Sequence, residues 1–259
     1  MITISKHVTG FIEKIFKISL FCMVLTALSQ NAFAQAFIDA EYAMVFTGYN
    51  DVQVPSDDGT RFSLKDDIAS DTGFAPRMRL GYTFLQRHSL LLLAAPLTIY
   101  GEGIIDKDIS YRGKTFEAGT KVKSTYRFDS YRITYRYTFI NSNQLSLAAG
   151  ITGKMRDAEI RLIGEDGSAG KSNIGFVPLI HLMAQWKFTD KYSVLLDMDA
   201  LVTPFGRAED ALFALQYHYN EKTSFRLGYR ILEGGSDGGG DVYTFALLNY
   251  ITAGLTTEL

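Results

Sequence analysis

Asp197 and Asp199 stand two residues apart, and His181 and His218 lie within reach of them along the chain. Two carboxylates beside an imidazole can activate a water molecule for hydrolysis. Asp197, Asp199 and His181 are therefore the candidate catalytic group. The same residue types allow a blander chemistry. Glu41, Arg77, Arg79, Arg132, Arg136, Asp197, Asp199 and Arg230 all fall on the polar face of alternating segments. Opposite charges crowded into a narrow space pair with one another, because an unpaired buried charge is very costly. That reading makes them an internal ion-pair network.

Other chemistry is thinner. The single cysteine is Cys22, and His88, His181 and His218 are scattered, so no metal site is expected. Asp71-Thr72-Gly73 matches an aspartic-protease triplet in one copy only. The glycine-rich run 234–240 precedes a strand pattern rather than a helix, which argues against a phosphate loop. His88-Ser89 sits at a short turn. No cofactor is expected.

The first 34 residues read as an export signal. Lys6, Lys14 and Lys17 give a basic start, residues 18–28 form an apolar core, and Ala32-Phe33-Ala34 is a small-x-small cleavage site before Gln35. An uncleaved anchor is the alternative. The surroundings of Cys22 do not fit a lipid-attachment site. Residues 35–259 carry 23 basic and 27 acidic side chains, a net charge of −4, which offers nothing to nucleic acid. They contain no cysteine, so an exported chain would be held by packing, hydrogen bonds or a membrane rather than by disulfides. They also contain no apolar run long enough for a spanning helix.

Those elements that would position the charges are strands. Period-two alternation recurs along the chain, as in Met78, Leu80, Tyr82 and Phe84 set against Arg77, Arg79 and Thr83. Ten such segments fall at about 37–48, 74–84, 89–100, 122–139, 145–163, 174–188, 193–205, 211–220, 224–233 and 241–253. The third is apolar on both faces, so its register is unreadable. The fourth changes parity, which a bulge near Asp129-Ser130 would reconcile, and the fifth changes phase near Asp157.

Short connections (LQRH, INSNQ, TDKY, NEKT) alternate with longer ones rich in Gly and Asp: the 49–73 and 101–121 loops, GEDGSAGKSN and GGSDGGGD. This predicts an all-β, up-and-down antiparallel transmembrane β-barrel of about ten strands, within a range of eight to twelve. It would have short periplasmic turns and longer external loops, and fill residues 35–259 as one domain. Aromatic residues gather near both ends of the strands, as at two membrane interfaces. Tyr82, Phe84, Tyr135, Tyr137, Trp186 and Phe188 mark the short-turn belt. Phe46, Phe74, Tyr100, Tyr126, Phe128, Phe205 and Tyr243 mark the other. Ile133, Tyr135 and Tyr137 should face lipid, while Arg132, Thr134 and Arg136 face the lumen. Phe62, Leu64 and Ile68 in the 49–73 loop predict an ordered lid over the mouth.

In this pattern the chain resembles the small outer-membrane β-barrel proteins of Gram-negative bacteria, although it ends Leu-Thr-Thr-Glu-Leu where such barrels often end in an aromatic residue. The resemblance implies a cell outer-membrane location and contact with outer-membrane lipids. The omptin proteases are also ten-stranded and use acidic residues and a histidine near the outer rim. This chain lacks their Asp-x-His pair in a matching late strand, and Asp197 and Asp199 lie nearer the other end. The expected role is structural or interactive, through external loops, with a salt-bridge-plugged lumen. A narrow porin-like pore, an outer-membrane hydrolase and a soluble periplasmic lipid-binding barrel are the alternatives. A monomer is expected, and no motif specifies an external partner.

Overall fold

The computed structural model describes residues 35–204 and 206–259. The expected export signal over 1–34 lies outside the described residues, as does Phe205. The strands are β1 (Gln35–Gln53), β2 (Phe62–Ser63), β3 (Gly73–Phe84), β4 (His88–Ala95), β5 (Thr98–Ile104), β6 (Ile109–Tyr111), β7 (Lys114–Phe116), β8 (Lys121–Asn141), β9 (Leu145–Gly164), β10 (Gly167–Lys187), β11 (Tyr192–Thr203), β12 (Gly206–His218), β13 (Thr223–Asp237) and β14 (Tyr243–Glu258). Ten staves form the wall. Each is antiparallel to its sequence neighbour, with β4 and β5 together making the third. The wall closes where β14 pairs with β1, from Phe37 opposite Glu258 to Gln53 opposite Tyr243. Closure leaves no free edge, which is the condition for strands to cross hydrocarbon.

The outward face of the lower wall is apolar. Ile133 (59% exposed), Ile151 (68%), Phe176 (68%) and Leu227 (70%) stand out from the barrel, while Arg132, Thr134 and Thr152 are buried inside it. From Phe74 to Phe84 on β3, a rise of about 3.3 Å per residue and a tilt of about 40° give a band about 25 Å tall. Rings meet at its short-turn edge. Tyr82 stacks on Phe84, Phe84 on His88, and Trp186, Phe188, Tyr192 and Tyr217 follow one another around the rim.

Above that band the pattern inverts. On β8 the even residues point inward from Val122 to Thr138. Arg132 and Thr134 do so in the lower wall, and Val122, Ser124 and Tyr126 in the upper. The outward positions become Lys121, Lys123, Thr125 and Arg127. The β8–β9 register runs unbroken through Asp129 opposite Asp157 and Ser130 opposite Arg156. The expected bulge near Asp129-Ser130 is therefore absent, and the shift in that pair lies lower, between Thr138 and Ile140. The parity change has another cause. Where the wall leaves lipid for water, its outer face turns polar and its inner face apolar. The phase change on β9 is the same event, with Ile160 and Leu162 inside and Asp157, Glu159 and Arg161 outside. Tyr126 and Phe128 accordingly face inward and do not belong to an outer aromatic belt.

A genuine bulge lies in β1. Thr47 is opposite Leu248 and Tyr49 opposite Leu247, leaving Gly48 as the extra residue. A Cβ there would meet the side chains of Asn249 and Leu247 at 2.9–3.1 Å. The bulge switches the inward set from Ala43 and Val45 to Asn50 and Val52. The third stave is interrupted between Ala95 and Thr98. Continuing the β3–β4 register past Met78 opposite Ala94 would set Pro76 against Pro96, and neither can donate a ladder hydrogen bond. β5 then pairs with β8.

Two long connections fold into the mouth. Phe62, Leu64 and Ile68 are buried, and the β6–β7 hairpin lies against them. Thr60 donates its N–H to the Ser110 carbonyl at 2.9 Å and Arg112 to that of Val54 at 3.0 Å. Phe62 meets Tyr111 edge-on, 5.7 Å between ring centres, and the Tyr111 hydroxyl donates to the Ile160 carbonyl at 3.0 Å. Burial pushes that phenol well above its ordinary pKa. These residues join Val45, Val52, Ile99, Val122, Leu162 and Leu248 in one apolar core that fills the upper barrel. The other connections at this end are shorter than the sequence suggests. GEDGSAGKSN is a two-residue turn at 165–166 followed by strand β10, and GGSDGGGD is strand as far as Asp237. Gly and Ser are tolerated because the wall there stands in water.

Replacing Ile151 with Arg at the middle of the apolar band should destabilise the barrel by about 2–4 kcal/mol. Ser172→Arg, outward but above the band, should cost no more than about 1 kcal/mol. Urea unfolding midpoints of the two variants in lipid vesicles check the contrast, and equal losses would refute this placement of the band.

Candidate functional site: the lumen charge cluster

Inward-facing positions of nine staves converge below the apolar core. Alternation along each strand delivers one charged residue every second or fourth position, and the closed wall brings them within bonding distance across the lumen. Asp210 on β12 is the hub. It accepts from Arg77 at 3.1 Å, Arg132 at 2.5 Å and Arg230 at 2.5 Å. Glu41 on β1 accepts from Arg230 and Arg226, each at 3.0 Å, and lies 3.7 Å from Arg77. Asp39 accepts two bonds from Arg226, at 2.6 and 2.8 Å, and one from the Thr256 hydroxyl at 2.7 Å. Arg79 holds Asp197 through both guanidinium nitrogens, at 2.9 and 3.1 Å. Asp199 accepts from Arg132 at 2.7 Å and the Thr152 hydroxyl at 2.8 Å, and meets Nδ1 of His181 at 2.9 Å. Five arginines (Arg77, Arg79, Arg132, Arg226, Arg230) thus face five carboxylates (Asp39, Glu41, Asp197, Asp199, Asp210). Several of these contacts are forked guanidinium bonds, the geometry that best offsets lost hydration.

Seven of the eight charges proposed for this network stand in it. Arg136 faces inward nearer the short-turn end but makes no hydrogen bond or ion pair among the described residues, and its Nε is buried without a partner. Asp210, Asp39 and Arg226 were not among the eight. Asp210 fell just before the segment read from 211, because β12 begins at Gly206 in the polar run Arg207-Ala208-Glu209-Asp210. Its inward neighbours Leu212 and Ala214 are apolar, so no alternating polar face announced it. Asp39 and Arg226 do alternate with apolar residues, and their pairing is visible only once β13, β14 and β1 adjoin.

Asp197, Asp199 and His181 are close together, as a hydrolytic site requires. His181 is 1% exposed, Asp199 3% and Asp197 4%. Both carboxylates are occupied by arginine, and the lid core lies above them. A water-activating site needs a free carboxylate and a path for substrate, and this arrangement provides neither. Nε2 of His181 is buried without a hydrogen-bond partner. Among the described residues no group of three His, Cys, Asp or Glu is arranged to hold a metal.

The chain matches no protein-family model and no curated protein sequence. Its architecture is similar to the outer membrane protease OmpT from Escherichia coli, with a TM-score of 0.53 at 9% identity, covering 87% of this chain and 97% of that one. It is more distantly similar to Ail, the attachment invasion locus protein of Yersinia pestis (TM-score 0.39, 10% identity, 88% and 99% covered). Neisserial surface protein A is further away (0.34, 14%, 87% and 99%). These identities speak to fold: the chain is a closed ten-stranded barrel of the kind found in Gram-negative outer membranes.

Neutralising the hub by Asp210→Asn leaves three buried guanidiniums short of a counter-charge and should destabilise the barrel by about 3–5 kcal/mol. For the peripheral pair, Arg79→Ala and Asp197→Ala together should cost clearly less than the sum of the two single changes. Unfolding midpoints in detergent for the four proteins decide this, and additive losses would show that the pair does not act as a unit.

Proposed function

We propose that the chain is an integral outer-membrane protein whose lumen is closed, and that it acts as a membrane-embedded scaffold presenting its upper wall and lid outside the cell. The observation that carries this reading is the double seal of the lumen. The five-to-five ion-pair network fills the lower barrel, and the apolar core of Phe62, Leu64, Ile68, Ile109 and Tyr111 fills the upper. A conducting pore needs a continuous wetted path, and both layers oppose one. The two long connections gathered at the lid end, against turns of three or four residues throughout the other end, and the polar outer face above the band favour the lid end as the external one. Lipids of the outer membrane would contact the apolar band, and each barrel, closed on itself, would stand as a monomer.

A soluble lipid-binding barrel would carry its apolar residues inward at mid-height, the opposite of the arrangement on β8, β9 and β10. The protease reading draws on likeness of fold to OmpT alone, and fold does not carry chemistry with it. Here the Asp199–His181 pair lies beneath the lid, out of reach of a peptide.

Expressed in a Gram-negative host, the protein should fractionate with the outer membrane, require detergent for extraction, and run faster on gels unboiled than boiled. Reconstituted in planar bilayers it should give no discrete conductance steps. Stable unitary currents would replace the scaffold with a pore.

A further inference from the structure

The wall is a complete ring only as far up β10 as Ile180. The ladder between β10 and β11 ends there, with Ile180 opposite Ala200. Continuing that register would set Pro178 against Val202, and proline has no N–H to give. β11 then runs three residues further and turns into β12 at Gly206. β10 continues for thirteen, from Leu179 to Gly167, paired with β9 alone. In an antiparallel strand every second residue directs its N–H and C=O to the same side. On the side away from β9 those groups have no backbone partner among the described residues. Pro178 blunts the base of this edge. Above it the ladder with β9 carries no bulge, and the outward residues Ser168, Gly170 and Ser172 carry no charge. The strand is held on one side and open on the other.

One cation stands beside the open edge. Arg156 faces inward on β9, opposite Gly175 of β10. Glycine leaves the inner face bare, and the guanidinium lies across it: a Cβ on Gly175 would meet Nη2 at 3.1 Å and Cζ at 3.7 Å. Arg156 donates to the side-chain oxygen of Asn173 at 2.6 Å, and its Nε is buried without a hydrogen-bond partner. Among the described residues no carboxylate pairs with it. Lys154, two residues away on the same face, is engaged elsewhere: it is 3% exposed, with Nζ 4.8 Å from the centre of the Phe128 ring. On the outer face Ile174 and Phe176 flank Gly175 and are each 68% exposed, because no strand stands beside them.

We infer that the edge of β10 over residues 168–177 receives an extended segment of a partner protein as an added strand, and that this segment carries Asp or Glu between two apolar residues. Directly opposed residues of paired strands stand about 5 Å apart. The residue opposite Gly175 therefore points inward beside the Arg156 guanidinium, where a carboxylate completes the ion pair. The residues on either side of it point outward against Ile174 and Phe176. Main-chain bonds along the edge supply the attraction, and these three side chains supply the choice of partner. The inference gives the scaffold proposed above its kind of partner, and it rests on the lid end being external.

The test titrates the full folded barrel in detergent into a fluorescein-labelled peptide, Thr-Thr-Val-Glu-Val-Thr-Thr, and follows anisotropy. The expected result is saturable binding. It should weaken about tenfold when the peptide Glu becomes Gln or the protein carries Arg156→Gln, and no further when both are changed. It should vanish when the peptide backbone is N-methylated throughout. No saturable binding, or binding as tight after N-methylation, would overturn the inference, as would equal affinity of wild type and Arg156→Gln for the Glu peptide. A barrel that sediments as a dimer before peptide is added would overturn it too, by giving the edge to a second copy. If Arg156→Gln does not fold, hydrogen exchange in the wild type decides. The Glu peptide should slow exchange over residues 168–177, and unchanged exchange there rejects the site. None of these outcomes depends on orientation in a membrane, so their failure leaves the scaffold reading to the conductance measurement.

Discussion

Asp210 holds three guanidiniums at once, and the lower barrel is arranged around that contact. A wall that meets lipid on its outer face must alternate, and alternation sends every second side chain inward whether or not the interior has room for it. With ten strands the interior is too wide to be filled by small residues alone and too narrow to hold a column of water around each charge. Arginine solves both problems. Its planar fork spans the lumen from β3, β8 and β13 and bonds two acceptors from opposite walls, so the inward charges become the packing. Removing one member does not simply leave a gap; it leaves a charge in a place with no water to receive it.

The same wall behaves differently a few residues higher. Once β8 and β9 rise out of the apolar band, their outer faces carry Arg127, Asp129, Asp157, Glu159 and Arg161, which pair with one another in the open. Arg127 reaches Asp129 at 3.1 Å and Asp157 at 2.8 Å. Inside, the lumen is packed with Val122, Ile160, Leu162 and the lid. One continuous strand thus belongs to two solvents in turn. In each it turns toward its surroundings the face they tolerate, without any change in backbone register.

That inversion explains what could and could not be read from the residues. The ten segments, the closure, the inward arginines and the outward rings of β8 were legible because alternation within the membrane is strict. The upper halves of the same strands were misread as a bulge, a phase change and long glycine-rich loops. The pattern there is also alternating, but with its polarity reversed, and a sequence gives no sign of where the water begins. Asp210 was hidden for a related reason. It sits where β12 passes from a polar external stretch into the wall, with apolar residues next on its own inward face. The break of the third stave at Pro96 was equally obscure. Pro76 and Pro96 are 20 residues apart, and their opposition exists only in the folded register.

Two cores of opposite character therefore share one lumen, and their boundary is the least conservative place in the barrel. Below it every charge but Arg136 has a partner of opposite sign; above it no charge is needed. Phe128, Arg132, Tyr250 and Lys154 stand at the boundary itself, where an aromatic ring belongs to the upper core and a guanidinium to the lower. A side chain there can satisfy neither core completely. Lys154 shows the consequence: its aliphatic stem and its contact with Phe128 suit the apolar side, while its ammonium suits the ionic side and finds the arginine of β8 where a carboxylate would serve. That mismatch lies within a few residues of the height at which the third stave is interrupted at Ala95 and Pro96, since Leu93 and Lys154 flank Arg132 in the ladder.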